Sequence, residues 1–265
     1  MLIFIGLGLS PKHLTLEALE YLQSVDKIVV DTYTSIVPGI EDLIKEIGRG
    51  KEIVYATRSL LEGRGIQKIV EEALTRNIAL LVPGDPFIAT THDAIRVEAL
   101  KRGVKVIVVN GLSIYSLAPS RIGLQAYRFG KTVTLVYPEA FKPYSTVKAI
   151  YENLERGLHT LVLLDLRVEE NRAMSIPEAV EILLDLDDKK VLKRVIAVGL
   201  ARLGLSDELI IADLLPNLAE YKYPPPPHSL VIVAKPHPIE LDNLRYNCGL
   251  PESIYRTYMS VQRYP

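Results

Sequence analysis

The apolar run Ile78-Ala79-Leu80-Leu81-Val82 stops abruptly in Pro83-Gly84-Asp85-Pro86. Two prolines and a glycine end a buried strand at once, because Pro cannot donate to a strand ladder and Gly opens torsions that other residues avoid. Such a stop delivers a rigid loop with exposed backbone to one edge of a sheet. In open α/β sheets ligands bind outside the carboxyl ends of the strands, so this loop marks a candidate site. A second loop of the same kind follows the first apolar run, where Ile3-Phe4-Ile5 leads into Gly6-Leu7-Gly8-Leu9-Ser10-Pro11. Two strand-to-helix loops rich in Gly and Pro point to a small-molecule site built largely from backbone.

Around these loops, apolar runs alternate with amphipathic stretches through the first 110 residues. The runs predict strands at Leu2–Ile5, Lys27–Val30, Glu52–Tyr55, Ile78–Val82 and Val104–Val109. Between them, Leu16, Leu19 and Leu22 recur every third residue, and Ile66, Ile69, Val70, Ala73 and Leu74 follow helical spacing. Thr90 and Asp93 have the spacing of a capping box, opening a helix through Ile95, Val97, Ala99 and Leu100. Strands alternating with helices predict a mostly parallel sheet with helices on its faces.

The rhythm breaks between Asn110 and Gly130, which places a domain junction near residue 112. The expected organisation is two α/β domains, residues 1–112 and 113–265. In the second, strands are expected at Thr132–Tyr137, Thr160–Asp165, Val195–Ala201, Leu209–Ala212 and Leu230–Ala234. Ser175-Ile176-Pro177-Glu178 is a helix start with a capping residue, an early Pro and a Glu three residues on. The run Pro224-Pro225-Pro226-Pro227 holds His228 stiffly at the start of the last strand.

Bulk properties exclude several classes. A net charge of -1 offers no basic field for nucleic acid, and no apolar run reaches the length of a membrane span. The opening Met1-Leu2-Ile3-Phe4-Ile5 lacks a basic leader and reads as a first strand, not a secretory signal. Cys248 is the one cysteine, so no disulfide within the chain and no cysteine-based zinc cage can form. The five histidines lack the spacing of a helical metal site, and no metal is expected. These features fit a cytoplasmic protein.

Gly6-x-Gly8 after a strand also invites a dinucleotide reading, with Asp31 closing the second strand about 20 residues later, where a ribose-binding acid would fall. Position 11 is Pro where that motif needs its third glycine. Gly130-Lys131-Thr132 ends like a phosphate-binding loop, but position 125 is Gln and the segment leads into a strand. No Gly-x-Ser-x-Gly elbow anchors a hydrolase triad. Pro83-Gly84-Asp85-Pro86 by itself is also explained as a plain turn.

Its neighbours decide between these readings. Gly6-Leu7-Gly8-Leu9, Pro83-Gly84-Asp85-Pro86-Phe87-Ile88-Ala89-Thr90-Thr91-His92, Ser113-Ile114-Tyr115-Ser116, Gly157-Leu158-His159-Thr160 with Leu164-Asp165, Ala201-Arg202 and Pro227-His228 occur in this order. Together they resemble the diphthine synthases of the tetrapyrrole methylase superfamily. The resemblance implies two α/β domains with S-adenosyl-L-methionine in the cleft between them, S-adenosyl-L-homocysteine as product, and a homodimer. It implies methylation, through to the trimethyl form, of the amino group on the 3-amino-3-carboxypropyl-histidine of translation elongation factor 2. Carried over by position, cofactor contacts fall on Leu9, Asp85, Ile88, Ser113, Ile114, Leu164, Leu203 and His228. Leu9, Ile88 and Ile114 would form an apolar wall, Asp85 would face the cationic side, and Ser113 would hydrogen-bond. No obligatory acid or base is expected. Ala118-Pro119-Ser120-Arg121 departs from the family pattern and argues against a helix continuing past Ser116. Other readings remain: a tetrapyrrole (precorrin or uroporphyrinogen) methyltransferase with the same cofactor frame, a nucleotide-binding regulatory module, or a scaffold without turnover.

Overall fold

The computed structural model describes residues 1–139 and 141–262. They divide into two compact units, Met1–Ile114 with Val168–Glu170, and Tyr115–Arg167 with the chain from Asn171 on.

The first unit is built on a five-stranded sheet. Its strands are β1 (Leu2–Gly6), β2 (Lys27–Asp31), β3 (Glu52–Ala56), β4 (Ile78–Val82) and β5 (Val106–Val109), in the order β3-β2-β4-β1-β5. Every pairing is parallel. The helices are α1 (Leu16–Ser24), α2 (Ile40–Ile47), α3 (Arg58–Leu61), α4 (Arg64–Ala73) and α5 (Asp93–Lys101). Side chains alternate across a strand, so each strand supplies two cores. Leu2, Phe4, Val29, Leu80 and Val82 pack with Ile69, Val70, Ile95 and Ala99 of α4 and α5. Ile3, Ile5, Ile28, Val30 and Leu81 pack with Ala18, Leu22, Ile40 and Ile44 of α1 and α2. A parallel sheet covered on both faces needs this uninterrupted apolar sequence.

Some helical positions differ from the expectation. Leu16, Leu74, Val97 and Leu100 are exposed, because the inward stripe of each helix is narrower than its apolar content. Thr90 does not cap α5. His92 holds the N-cap position, and the Thr90 hydroxyl instead donates to the Pro86 carbonyl.

The second unit carries a mixed sheet. Its strands are β6 (Val133–Leu135), β7 (Thr160–Leu164), β10 (Ile196–Ala201), β11 (Leu209–Leu214) and β12 (His228–Ile232), ordered β11-β10-β12-β7-β6. Only β6–β7 is parallel. A short hairpin, β8 (Leu166–Arg167) and β9 (Arg172–Ala173), was not foreseen. Helices α7 (Tyr144–Glu155), α8 (Ile176–Asp185), α9 (Pro238–Tyr246) and α10 (Glu252–Gln262) complete it. Ser175 and Glu178 form the expected capping box of α8. β12 starts two residues earlier than expected, because His228 is the first residue after the proline run with an N–H for the ladder.

Helix α6 (Ile114–Ile122) corrects the expectation drawn from Ala118-Pro119-Ser120-Arg121. It runs through Pro119, which forfeits one intrahelical bond. Ala118, Pro119 and Ile122 are buried, and the Pro119 carbonyl accepts from the N–H groups of Gly123 and Leu124. Burial of this face offsets the lost bond.

Candidate functional site

β4, β1 and β5 are neighbours, with Gly6 opposite Val82 and Ile5 opposite Val109. Parallel pairing therefore brings the loops after all three strands to one edge. Their backbones touch. A Cβ on Gly6 would sit 2.5 Å from Gly111 N and 2.6 Å from Gly84 O, and one on Gly111 would sit 2.2 Å from Gly84 O. Gly8 and Gly84 exchange two backbone bonds, of 3.1 and 2.9 Å, and both have left-handed φ, at 69° and 72°. A Cβ on Gly6 or Gly111 would force these backbones apart, and at Gly8 and Gly84 the left-handed φ favours glycine.

Asp85 staples this junction. It is 4% exposed, one carboxylate oxygen accepts from Phe87 N at 2.9 Å, and the other from Asn110 Nδ2 at 2.8 Å and Gly111 N at 3.4 Å. Both oxygens are thus engaged by the protein, and Asp85 holds the loop after β4 against the loop after β5. Asn110 and Gly111, read from sequence only as the start of a junction, complete this staple. The signal available was their place directly after an apolar run, as with Gly6 and Gly84.

The other expected residues of this unit surround the staple. Leu9 is half-buried, with Cδ2 3.9 Å from the position a Gly84 Cβ would take, and its N–H donates to His13 Nδ1 at 3.2 Å. Ser113 is buried, and Ile114 opens α6 one residue later. Ile88 is exposed, on the loop after Asp85.

Asp31 is fully engaged as well. Its carboxylate accepts from Tyr33 N at 2.8 Å, from Thr34 N at 3.0 Å and from the Thr34 hydroxyl, and lies 3.3 Å from His92 Nε2. Burial opposes its charge, but the contacts with His92, Thr34 and Tyr33 outweigh burial and hold the carboxyl below its ordinary range. An aspartate so occupied is a poor ribose acceptor, which removes the main support for the dinucleotide reading.

In the second unit the expected residues also gather. Ala201 pairs with His228 and Leu163 with Ser229, so Leu164, His228 and Leu203, two residues beyond β10, lie at one end of the sheet. His228 Nδ1 accepts from Ile176 N at 3.2 Å, so the ring carries its proton on Nε2, which donates to Pro224 O at 2.7 Å. Burial pushes the imidazole below its ordinary value. With both nitrogens engaged, His228 secures the start of α8 and the proline run, and its ring lies beside that of Tyr223.

Sequence reasoning missed a buried cluster nearby in the chain. Glu240, fully buried, accepts from Gln125 N at 2.9 Å, from His237 N at 2.7 Å and from Arg128, and faces His159 Nε2 at 3.3 Å. His159 Nδ1 accepts from Ala234 N at 3.1 Å. A cavity of about 520 Å³ lined by Leu154, Val195, Val233, Thr257 and Tyr258, among others, contains none of the expected site residues. Among the described residues no group of three or more His, Cys, Asp or Glu could hold a metal ion, and no helix is long and apolar enough to cross a membrane.

A family model described as Tetrapyrrole (Corrin/Porphyrin) Methylases matches residues 1–219. The chain belongs to the tetrapyrrole methylase family. Within this family it lies with the diphthine synthases. It is 68% identical to the diphthine synthase of Staphylothermus marinus, covering 100% of both chains. Identity to the diphthine synthase of Methanocaldococcus jannaschii is 39%, over 94% of this chain and 99% of that one. A crystal structure of diphthine synthase superposes with a TM-score of 0.88 at 36% identity, covering 96% of this chain and 98% of the other. Like these tetrapyrrole methylases, the chain is a methyltransferase.

Proposed function

We propose that this protein is an S-adenosyl-L-methionine-dependent diphthine synthase. It methylates the amino group of the 3-amino-3-carboxypropyl-histidine of translation elongation factor 2, through to the trimethyl form, and releases S-adenosyl-L-homocysteine. The observation that carries this reading is the 68% identity to a diphthine synthase over the full length of both chains. A tetrapyrrole acceptor is not favoured, because the likeness to diphthine synthases covers the whole chain and not only the shared methylase frame.

The residues of the first unit fit such a cofactor. The backbones of Gly6, Gly84 and Gly111 pack together with no room for a Cβ on Gly6 or Gly111, so this edge offers a ligand main chain more than side chains. Leu9, Ile88 and Ile114 supply apolar surface and Ser113 a hydroxyl, the mixture expected of a ligand pocket. Asp85 fixes the loops by its bonds to Phe87, Asn110 and Gly111, and places negative charge beside them. We assign the remaining contacts to Leu164, Leu203 and His228. Bound cofactor supplies an already activated sulfonium methyl. The protein's task is therefore alignment of a neutral amine, and orientation can lower a barrier by about 7–11 kcal/mol. An α-amino group titrates at about 7.7–8.0, so a neutral fraction exists near neutrality and no dedicated base is required. We further assign a homodimer and a cytoplasmic location.

The test is mass spectrometry of elongation factor 2 purified from cells lacking this enzyme. Incubation with enzyme and cofactor should add successive methyl increments to one histidine-containing peptide, and factor lacking the aminocarboxypropyl extension should stay unchanged. Methylation of the unmodified factor, or of a tetrapyrrole alone, would overturn the assignment.

A further inference from the structure

The loop from Asp85 to His92 is pinned at both ends by buried carboxylates. At its start, Asp85 accepts from the loop's own Phe87 N–H and from Asn110. At its end, His92 is fully buried with Nε2 3.3 Å from Asp31 Oδ2, a charge contact, and neither ring nitrogen makes a hydrogen bond of good geometry. A buried imidazole needs compensation, and here the compensating group is the Asp31 carboxylate, itself fixed by the turn after β2. His92 thereby ties the loop after β4 to the loop after β2. Across the middle, the Thr90 hydroxyl donates to Pro86 O at 2.7 Å.

Between these anchors Ala89 has φ of 56°. Alanine rarely adopts this left-handed conformation, and it persists only where the surroundings over-determine it. No charged residue lies between Asp85 and Asp93, and Ile88, Ala89 and Thr91 are exposed. The result is a small surface, uncharged from Ile88 to Thr91 and flanked by the Asp93–Arg96 ion pair with Arg96 over the Phe87 ring, held rigid at the carboxyl edge of the parallel sheet. Its chemistry suits the main chain of a peptide and not a charged side chain, and its rigidity removes the ordering penalty of binding.

We propose that the Asp85–His92 loop is a preset recognition surface for the acceptor peptide, with Ala89 and Thr91 in contact and His92, through Asp31, the residue that positions it. This rests on the diphthine synthase reading above. Ile88 remains on the cofactor side, so the proposal separates acceptor binding from cofactor binding within one loop.

The experiment measures initial rates with the full-length enzyme on elongation factor 2 carrying the unmethylated extension, together with cofactor affinity by calorimetry and thermal midpoints. Thr91→Arg and His92→Leu should raise the acceptor KM by about tenfold with kcat and cofactor Kd within about twofold, the signature of lost ground-state binding. His92→Gln should restore the acceptor KM, since its amide N–H can reach Asp31. A folded His92→Leu protein with the wild-type acceptor KM overturns the positioning role, and wild-type behaviour of Thr91→Arg overturns the contact surface. A change confined to cofactor Kd assigns the loop to the cofactor and overturns both. If His92→Leu does not fold, Thr91→Arg decides, because that side chain is exposed. A wild-type enzyme without turnover on this acceptor defeats the functional reading itself, which is distinct from a working wild type that its variants match.

Discussion

The two sheets of this molecule use buried carboxylates in opposite ways. In the first unit, Asp31 ends β2, Asp85 lies just beyond β4, and both organise loops at the carboxyl edge. In the second, Glu240 sits on α9 and ties together the chain around Gln125, Arg128, His159 and His237, away from the end of the sheet where Leu164, Leu203 and His228 meet. A parallel sheet sends every strand's carboxyl end to one edge, so its buried polar groups fall next to a site. An antiparallel sheet interleaves strand ends, so the buried carboxylates of the second unit are spread out: Glu240 joins elements distant in sequence, and Asp213 and Asp187 hold the turns that follow them. Carboxylates in the first unit should therefore matter most to ligand binding, and those in the second most to stability.

The largest effect should come from Glu240→Ala. Removing one partner of a buried charge pair costs about 3–5 kcal/mol, and here Arg128, His159 and two backbone N–H groups would be left behind. Denaturant unfolding should show this loss. If Glu240→Ala unfolds like wild type, the contrast between the units fails.

The same cluster gives a pH dependence. Burial holds His159 below its ordinary value, outweighing Glu240. Burial opposes the charge of Glu240, but the N–H groups of Gln125 and His237, with His159 and Arg128, hold that carboxyl low. Both folded-state values are depressed, so the unfolded chain binds more protons as the pH falls. The His159 contribution is complete above about pH 6.5 and is lost as pH falls below it; the Glu240 contribution is complete above about pH 4.3 and is lost below that. Wild-type stability should decline in these two windows, and Glu240→Gln should shrink the lower one, leaving the part carried by other depressed carboxyls such as Asp31 and Glu178. Equal acid sensitivity in that variant would show that Glu240 does not carry it.

Asp85→Ala sharpens the other side of the comparison. It should weaken cofactor binding by about 1.5–3 kcal/mol, the worth of hydrogen bonds to a charged group, while calorimetric unfolding changes less than in Glu240→Ala. Asn110→Ala should give a smaller loss in the same direction, because Gly111 N and Phe87 N still hold the carboxylate. If binding is intact and only turnover collapses, Asp85 is a catalytic group and not a staple.

His228→Ala should have a smaller effect on cofactor affinity than Asp85→Ala, since both ring nitrogens bond to backbone. It should destabilise by about 1–3 kcal/mol through the buried Ile176 N–H it leaves unpaired. A larger loss of affinity than in Asp85→Ala would make the ring a direct ligand contact. Smallest is Ser175→Ala, which should remove about 1 kcal/mol of stability through the α8 cap and leave methyl transfer unchanged.

Much of this was legible before the structure. Strand positions followed from the apolar runs, because β1 and β4 are covered on both faces and cannot hide polar residues. The Ser175 cap was legible because its partner Glu178 lies three residues away. Thr90 and Asp93 carried a similar spacing without a cap, because the Pro86 carbonyl competes for the Thr90 hydroxyl. Pro119 misled in the other direction, since burial of its helix face outweighs one missing bond.

The sequence alone determined the α/β class, most strand positions and the two Gly/Pro loops, because these depend on local torsions and on periodicity within a few residues. Its motif order also named the methylase family. Tertiary structure decided what the polar groups do. The bonds from Asp85 to Asn110, the approach of Asp31 to His92 and the ring around Glu240 join residues 25, 61 and up to 115 positions apart. No local pattern encodes such pairings, because a buried carboxylate takes whichever donors the packed sheet brings within reach.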